Sequence, residues 1–238
     1  MRRIIAAGVA LATMMGMTAV ATAAETTTID VTLKPPKAGA GAALTVKYTS
    51  KSDEDFETAP YQTHIDFFFA KGMSFPYKDF PSCTIPLTAK VPAKCKPAKV
   101  GKGTALNDAR VENLHSVPAT LDLYNGGAPG ILYFPAIVTR PAAVNVYIKG
   151  VMKKASGPYG SKLDVPLKLP TILPDVEKPF VNSFKIGPVS KTTKKNGKTI
   201  SFINNPKTCT SAGWKFRLVT TYSNGDVSTA DDTVKCTK

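Results

Sequence analysis

Apolar and polar residues alternate in short runs along this chain, and no long stretch carries apolar residues at the three-and-four spacing of a helix. Ile29, Val31 and Leu33 alternate with Asp30 and Thr32; Leu44, Val46 and Tyr48 alternate with Thr45 and Lys47. Val144, Val146 and Ile148 repeat the pattern, as do Leu163, Val165, Leu167 and Leu169. Successive side chains of a strand point to opposite faces, so a period of two predicts half-buried strands. Ile65 to Ala70 is apolar except for Asp66, which predicts a strand buried on both faces.

Breaks between the runs have their own chemistry. Pro35-Pro36-Lys37-Ala38-Gly39 separates the first two strands, and Asn125-Gly126, Asn196-Gly197 and Asn224-Gly225 supply residues that tolerate positive φ. Asn224-Gly225 lies between two alternating runs, a strong hairpin signal, with Ser223 expected to face Asp226. Proline cannot donate to a ladder, so the prolines between 163 and 174 predict an edge strand or a crossing segment. The fold class expected is all-β: an immunoglobulin-like or related antiparallel β-sandwich, as one body or as two packed β modules. Residues 24–174 form the sandwich, and residues 175–238, after the linker-like Pro174-Asp175-Val176-Glu177-Lys178-Pro179, form a C-terminal module or complete the same sandwich.

The N-terminus changes how the cysteines are read. Met1-Arg2-Arg3, an apolar run from Ile4 to Val20, and Ala21-Thr22-Ala23 have the layout of a signal peptide over residues 1–23, cut after Ala23 or Ala24. A spanning helix needs about 20 apolar residues, more than this run offers. The expected destination is outside the cell, free or loosely associated with the envelope. In an oxidising compartment four cysteines, Cys83, Cys95, Cys209 and Cys236, predict two disulfides. Three pairings exist on paper; proximity favours Cys83 with Cys95 and Cys209 with Cys236, the second across the open end of the Asn224-Gly225 hairpin. Zinc ligands come in pairs two to four residues apart, and these spacings do not fit. No metal or cofactor is expected.

Several segments resemble a group of exported, two-disulfide β-rich proteins of actinomycete-type bacteria that has no established activity. They are FPSC (80–83), CKPAKVGKGTA (95–105), LYNGG (123–127), KKASGPYGSKLDVPL (153–167) and GWKFRLVTTYSNGDVSTADDTVKC (213–236). The resemblance implies secretion and a β fold and assigns no catalytic residue. One departure is that Cys95 is followed by Lys96-Pro97, where that group usually has proline next to the cysteine.

Candidate chemistry is sparse. The two histidines are His64 and His115. His64 and Asp66, two apart in a strand, share a face and suggest a hydrolase in which Ser74 or Ser82 is the nucleophile; no Gly-x-Ser-x-Gly elbow accompanies them. Asp53-Glu54-Asp55-Phe56-Glu57 is rich in carboxylates but lacks the spacing and turn glycine of a calcium loop. Asp231-Asp232 reads as charge that discourages sheet association at an edge.

Charge is the strongest global signal. The formal charge is +14, and loss of Arg2 and Arg3 with the leader makes it +12. One tract from Lys178 to Gly225 has no acidic residue and carries Lys185, Lys191, Lys194, Lys195 and Lys198; a second, around the first cysteine pair, carries Lys90, Lys94, Lys96, Lys99 and Lys102. Such tracts on an exported protein attract polyanions. Lysines far outnumber arginines after the leader, and lysine acts as a point charge where arginine forks around phosphate. Specific nucleic-acid readout is therefore disfavoured. The expected partner is an anionic cell-wall polymer or an envelope protein, bound without catalysis. A disulfide-stapled inhibitor or effector, using the Cys83–Cys95 loop for recognition, is the remaining class.

Overall fold

A computed structural model describes residues 25–54, 59–86, 90–109, 114–140, 143–167 and 180–238. The signal-peptide segment, Asp55 and Glu57, Leu169 and the expected linker at 174–179 lie outside the described residues. The described residues are all-β with antiparallel strand ladders, and include two short 3-10 turns, Tyr77–Asp79 and Ala93–Ala98.

The strands are β1 (Glu25–Lys34), β2 (Ala43–Ser52), β3 (Gln62–Ala70), β4 (Lys99–Ala109), β5 (Leu114–Gly127), β6 (Ile131–Val138) and β7 (Val144–Lys154). They continue as β8 (Tyr159–Pro166), β9 (Phe180–Val189), β10 (Thr192–Lys195), β11 (Lys198–Ser201), β12 (Trp214–Tyr222) and β13 (Val227–Val234). Eleven form one sheet in the order β1-β2-β9-β4-β5-β6-β7-β8-β3-β12-β13, while β10 and β11 form a separate hairpin. Strands after residue 180 are interleaved with earlier ones: β9 lies between β2 and β4, and β12 pairs with β3.

The large sheet curls until its edges meet. Alternate antiparallel pairing of eleven strands leaves the first and last pointing the same way, so their meeting is parallel. It is made first by side chains: the Thr27 and Ser228 hydroxyls are 2.9 Å apart, and Val31 N–H donates to Asp232 Oδ2 at 2.6 Å. Backbone takes over beyond the strands, where Ala38 N–H donates to Thr237 O at 2.9 Å and Thr237 N–H to Pro36 O at 2.8 Å. The seam covers both edges, which would otherwise present unpaired backbone groups.

Inside lies one main apolar core, including Leu33, Tyr48, Phe67, Phe134, Phe216 and Leu218. Alternation in β1 and β2 runs as expected, with Val31, Leu33, Leu44, Val46 and Tyr48 buried. Polar bonds cross the interior at one end. Gln62 on β3 accepts from Val181 N–H at 2.8 Å and donates to Val181 O at 3.1 Å, the two bonds a neighbouring strand residue would make. The Ser50 and Tyr222 hydroxyls meet at 2.9 Å. Buried polar groups need such partners, because an unpaired one costs about 1–3 kcal/mol.

Four local expectations change. Asn125-Gly126 is not a turn but the end of β5; Asn125 is fully buried and its amide reaches the carbonyls of Tyr77 (2.9 Å), Pro81 (3.0 Å) and Phe80 (3.4 Å). Those carbonyls belong to a loop with no ladder of its own, so the side chain supplies the missing donors. Asn196-Gly197 does form the β10–β11 tip, with φ of 51° and 73°. Asn224-Gly225 turns β12 into β13 one residue out of the expected register: Thr221 faces Val227, and Tyr222 N–H donates to Asp226 O at 2.9 Å. Gly225, at φ 92°, makes this a three-residue loop.

The third change is β3, which is buried on one face only; Phe68 is half-buried on the outer face, against the Tyr159 ring at 5.3 Å and under Lys162 Nζ at 5.6 Å. A ring beside a lysine stem gives an exposed apolar side chain partial cover. The fourth is β8, an interior strand between β7 and β3, whose Pro166 sits at its last position, past the end of the pairing with β7, while the next N–H, that of Leu167, still donates to Thr63 O at 2.9 Å.

Candidate functional site

Both disulfides have the pairing that proximity favoured, Cys83–Cys95 and Cys209–Cys236, with Cα separations of 5.3 and 5.7 Å. Together they use all four cysteines. The Cys83–Cys95 loop is not a free recognition loop at its base. Tyr124 on β5 faces Tyr133 on β6, and these two rings on the outer side of the sheet are covered by Ile85, Cys95 and Ala98 to form a satellite core. Cys83 N–H donates to Asn125 O at 2.9 Å, which ties the loop to the end of β5. Burial first, and the Asp122 charge second, push the Tyr124 hydroxyl up to about 12.

Packing the loop this way leaves its lysines outside. Lys90, Lys94 and Lys96 are exposed, while Lys99 is half-buried and paired with Asp122. Lys102 follows on the outer face of β4, cross-strand from Asp122. Lys185 stands beside it on β9, opposite Thr104 on one side and Lys47 of β2 on the other. Lys47 itself pairs with Asp30 at 2.8 Å.

The second tract is fastened in the same region by one half-buried clasp. Lys191, between β9 and β10, donates through Nζ to the Pro97 carbonyl and, at 3.0 Å, to the Lys99 carbonyl. Burial lowers its pKa. Phe202 N–H donates to Lys191 O at 2.8 Å, and the Phe202 ring meets Phe80 edge-on at 5.2 Å. The β10–β11 hairpin is therefore held against the stapled loop, with Lys195 paired to Asp79. Lys194 and Lys198 are exposed beside the hairpin tip.

So the two lysine tracts converge on one end of the barrel. Lys99, Lys191 and Lys195 are engaged within the protein; Lys94, Lys96, Lys102, Lys185, Lys194 and Lys198 pair with no carboxylate among the described residues. Sequence reasoning missed Lys47 and Lys78, isolated lysines that the fold adds to the rim of this region. The Lys191 clasp carried no sequence signal beyond charge.

A different cluster surrounds His64 on the outer face of β3. Its Nε2 lies 3.4 Å from Asp66 Oδ1 and 3.1 Å from Asp164 Oδ1. Asp66 and Asp164 are direct cross-strand partners between β3 and β8. Lys162 Nζ holds Asp66 Oδ2 at 2.6 Å, and Lys153 holds Asp164 Oδ2. Asp164 was missed because it lies in an alternating strand, between Leu163 and Val165, where a polar residue is ordinary. The expected shared face of His64 and Asp66 is present, but the serines are elsewhere. Ser74 lies past the far end of β3, bridged to Asn204, and Ser82 sits against Gly127 at the end of β5.

No helix among the described residues is long and apolar enough to cross a membrane. Comparison with protein-family models, with curated proteins and with solved structures returned no match to this chain.

Proposed function

We propose that this is an exported, noncatalytic β protein that binds an anionic polymer of the cell envelope through its lysine-rich end. The observation that carries the reading is the Lys191 clasp, which joins the 185–198 tract to the Cys83–Cys95 loop. It ties the hairpin that carries Lys194 and Lys198 to the stapled loop, while the β4–β9 pairing sets Lys185 beside Lys102. Two disulfides are compatible with work outside the cell. The resemblance to exported two-disulfide β proteins points the same way.

Lysine suits this partner. Ammonium groups respond to charge density rather than to the planar geometry of one ligand, which fits a repeating anionic chain better than one defined site. Such binding weakens with salt, since the screening length is about 10 Å at 0.1 M. The test is co-sedimentation of the purified, oxidised protein with isolated cell walls, before and after extraction of their anionic polymers, across a salt series. Retention that disappears on extraction and falls steeply with salt is expected. Equal retention by extracted walls, or none at low salt, overturns the reading.

A further inference from the structure

We infer that His64, Asp66 and Asp164 form a binding site for one divalent transition cation of the zinc class. The three ligand atoms lie within 4.8 Å of one another. Two ligands each about 2.0–2.1 Å from a tetrahedral zinc stand roughly 3.3 Å apart. The separations from His64 Nε2 to the two carboxylate oxygens, 3.4 and 3.1 Å, match that edge length.

Two further features point to a ligand at this place. First, a single ring nitrogen faces two carboxylate oxygens, and one ring nitrogen carries at most one N–H to share between them. One contact is left without a proton, whereas a cation at the centre satisfies all three atoms. Second, the carboxylates are already oriented: each offers Oδ1 toward His64 while a lysine, Lys162 or Lys153, holds its Oδ2. Ligating carboxylates are commonly fixed in this manner by an outer hydrogen bond. Asp66 and Asp164 stand directly opposite each other across two strands, so both present Oδ1 to the same ring nitrogen while the two lysines offset their charges.

The ligand set selects the metal class. Calcium and magnesium prefer six or more oxygens, while one imidazole and two carboxylate oxygens suit a borderline cation that accepts four ligands. Solvent completes the fourth position, since His64 is about one-third exposed. The two ammonium groups offset the two carboxylate charges, so the site is selective through geometry more than through charge. It is separate from the lysine-rich end and does not depend on the function proposed for it.

Calorimetric titration of the disulfide-intact protein with Zn²⁺ alone, and visible absorption on loading with Co²⁺, test the assignment. One saturable site per chain and a tetrahedral Co²⁺ spectrum are expected, with Mg²⁺ giving neither. His64→Gln and Asp164→Asn should each weaken Zn²⁺ by more than about tenfold, while His115→Gln leaves it unchanged. Circular dichroism of each variant separates ligand loss from misfolding, and His64→Gln, on a half-exposed position, keeps the test open if Asp164→Asn fails to fold. Absence of a one-to-one isotherm, or undiminished binding in folded His64→Gln, overturns the inference.

Discussion

Asp232 Oδ2 accepts the Val31 amide at 2.6 Å, so that a carboxylate stands where a strand carbonyl would close the seam between the last strand and the first. The neighbouring Thr233 N–H donates to the other oxygen of the same carboxylate at 2.6 Å. One side chain thus joins β1 to β13 and fixes its own strand. Asp232→Ala should lower the urea midpoint and cost about 1–3 kcal/mol, the usual effect of leaving a partly buried donor unpaired. A midpoint equal to that of the unaltered protein would mean that the backbone contacts near Thr237 hold the seam alone.

Asn125 gives a sharper test, because an isosteric substitution exists that removes its donors. Its amide donates to loop carbonyls of Tyr77 and Pro81, and its oxygen accepts from Gly127 N–H at 3.1 Å. Asn125→Asp keeps the shape but removes the donors and buries a charge. It should destabilise by about 2 kcal/mol or more, and by no less than Asn125→Ala. If thermal unfolding shows Asn125→Asp to be neutral, the amide does not organise the loop.

Much of the framework was legible because half-buried strands advertise themselves by alternation, as β1 and β2 do. What could not be read has a common cause: it depends on contacts between residues far apart in sequence. Asn125-Gly126 has the composition of a turn, yet the loop packed on β5 makes a buried Asn the better-satisfied choice. Insertion of β9 between β2 and β4 is invisible in β9 itself. The lysine tracts were evident from composition, but their convergence rests on the β4–β9 pairing and on Lys191, and the His64 cluster rests on Asp164, a hundred residues away.

Reduction should act locally. The Cys83–Cys95 bridge spans a separation of 12 residues, for which chain entropy gives roughly 3 kcal/mol. Cys83→Ala with Cys95→Ala should lower stability by up to that amount and raise hydrogen exchange around Ile85 and Ala98, which cover Tyr124 and Tyr133. Intact mass of the oxidised chain should be about 2 Da below the reduced value for each bridge. Free thiols in protein isolated from outside the cell would contradict the pairing.

Acid stability should depend on Asp231. Hydrogen bonds from Arg217, at 2.7 and 2.8 Å, are the main cause holding its carboxyl below the usual value of 3.8, helped by the Tyr159 hydroxyl at 3.2 Å. A carboxyl whose folded pKa is depressed binds its proton more readily when unfolded. Its contribution is present above 3.8 and is lost as pH falls through the depressed folded value. Asp231→Asn should flatten that part of the acid-unfolding curve by lowering the plateau above 3.8 slightly, the pair being largely exposed and screened, while the two proteins converge in acid. An acid limb identical in both proteins would assign the titration to other carboxyls.

The last prediction connects the clasp with binding. Lys191→Met removes one charge but also frees the Pro97 and Lys99 carbonyls from their shared donor, so the β10–β11 hairpin loses its polar tie to the stapled loop. Lys51→Gln removes one charge as well, from an exposed position at the other end of β2. If a rigid arrangement of lysines recognises the polymer, Lys191→Met should reduce wall retention several-fold more than Lys51→Gln at equal ionic strength, because ordering a mobile hairpin on binding adds about 0.5–1.5 kcal/mol per immobilised side chain. The salt slope should change little, since the number of ammonium groups meeting the polymer is nearly the same. Equal losses in the two variants would show that net charge, and not the joined surface, governs retention.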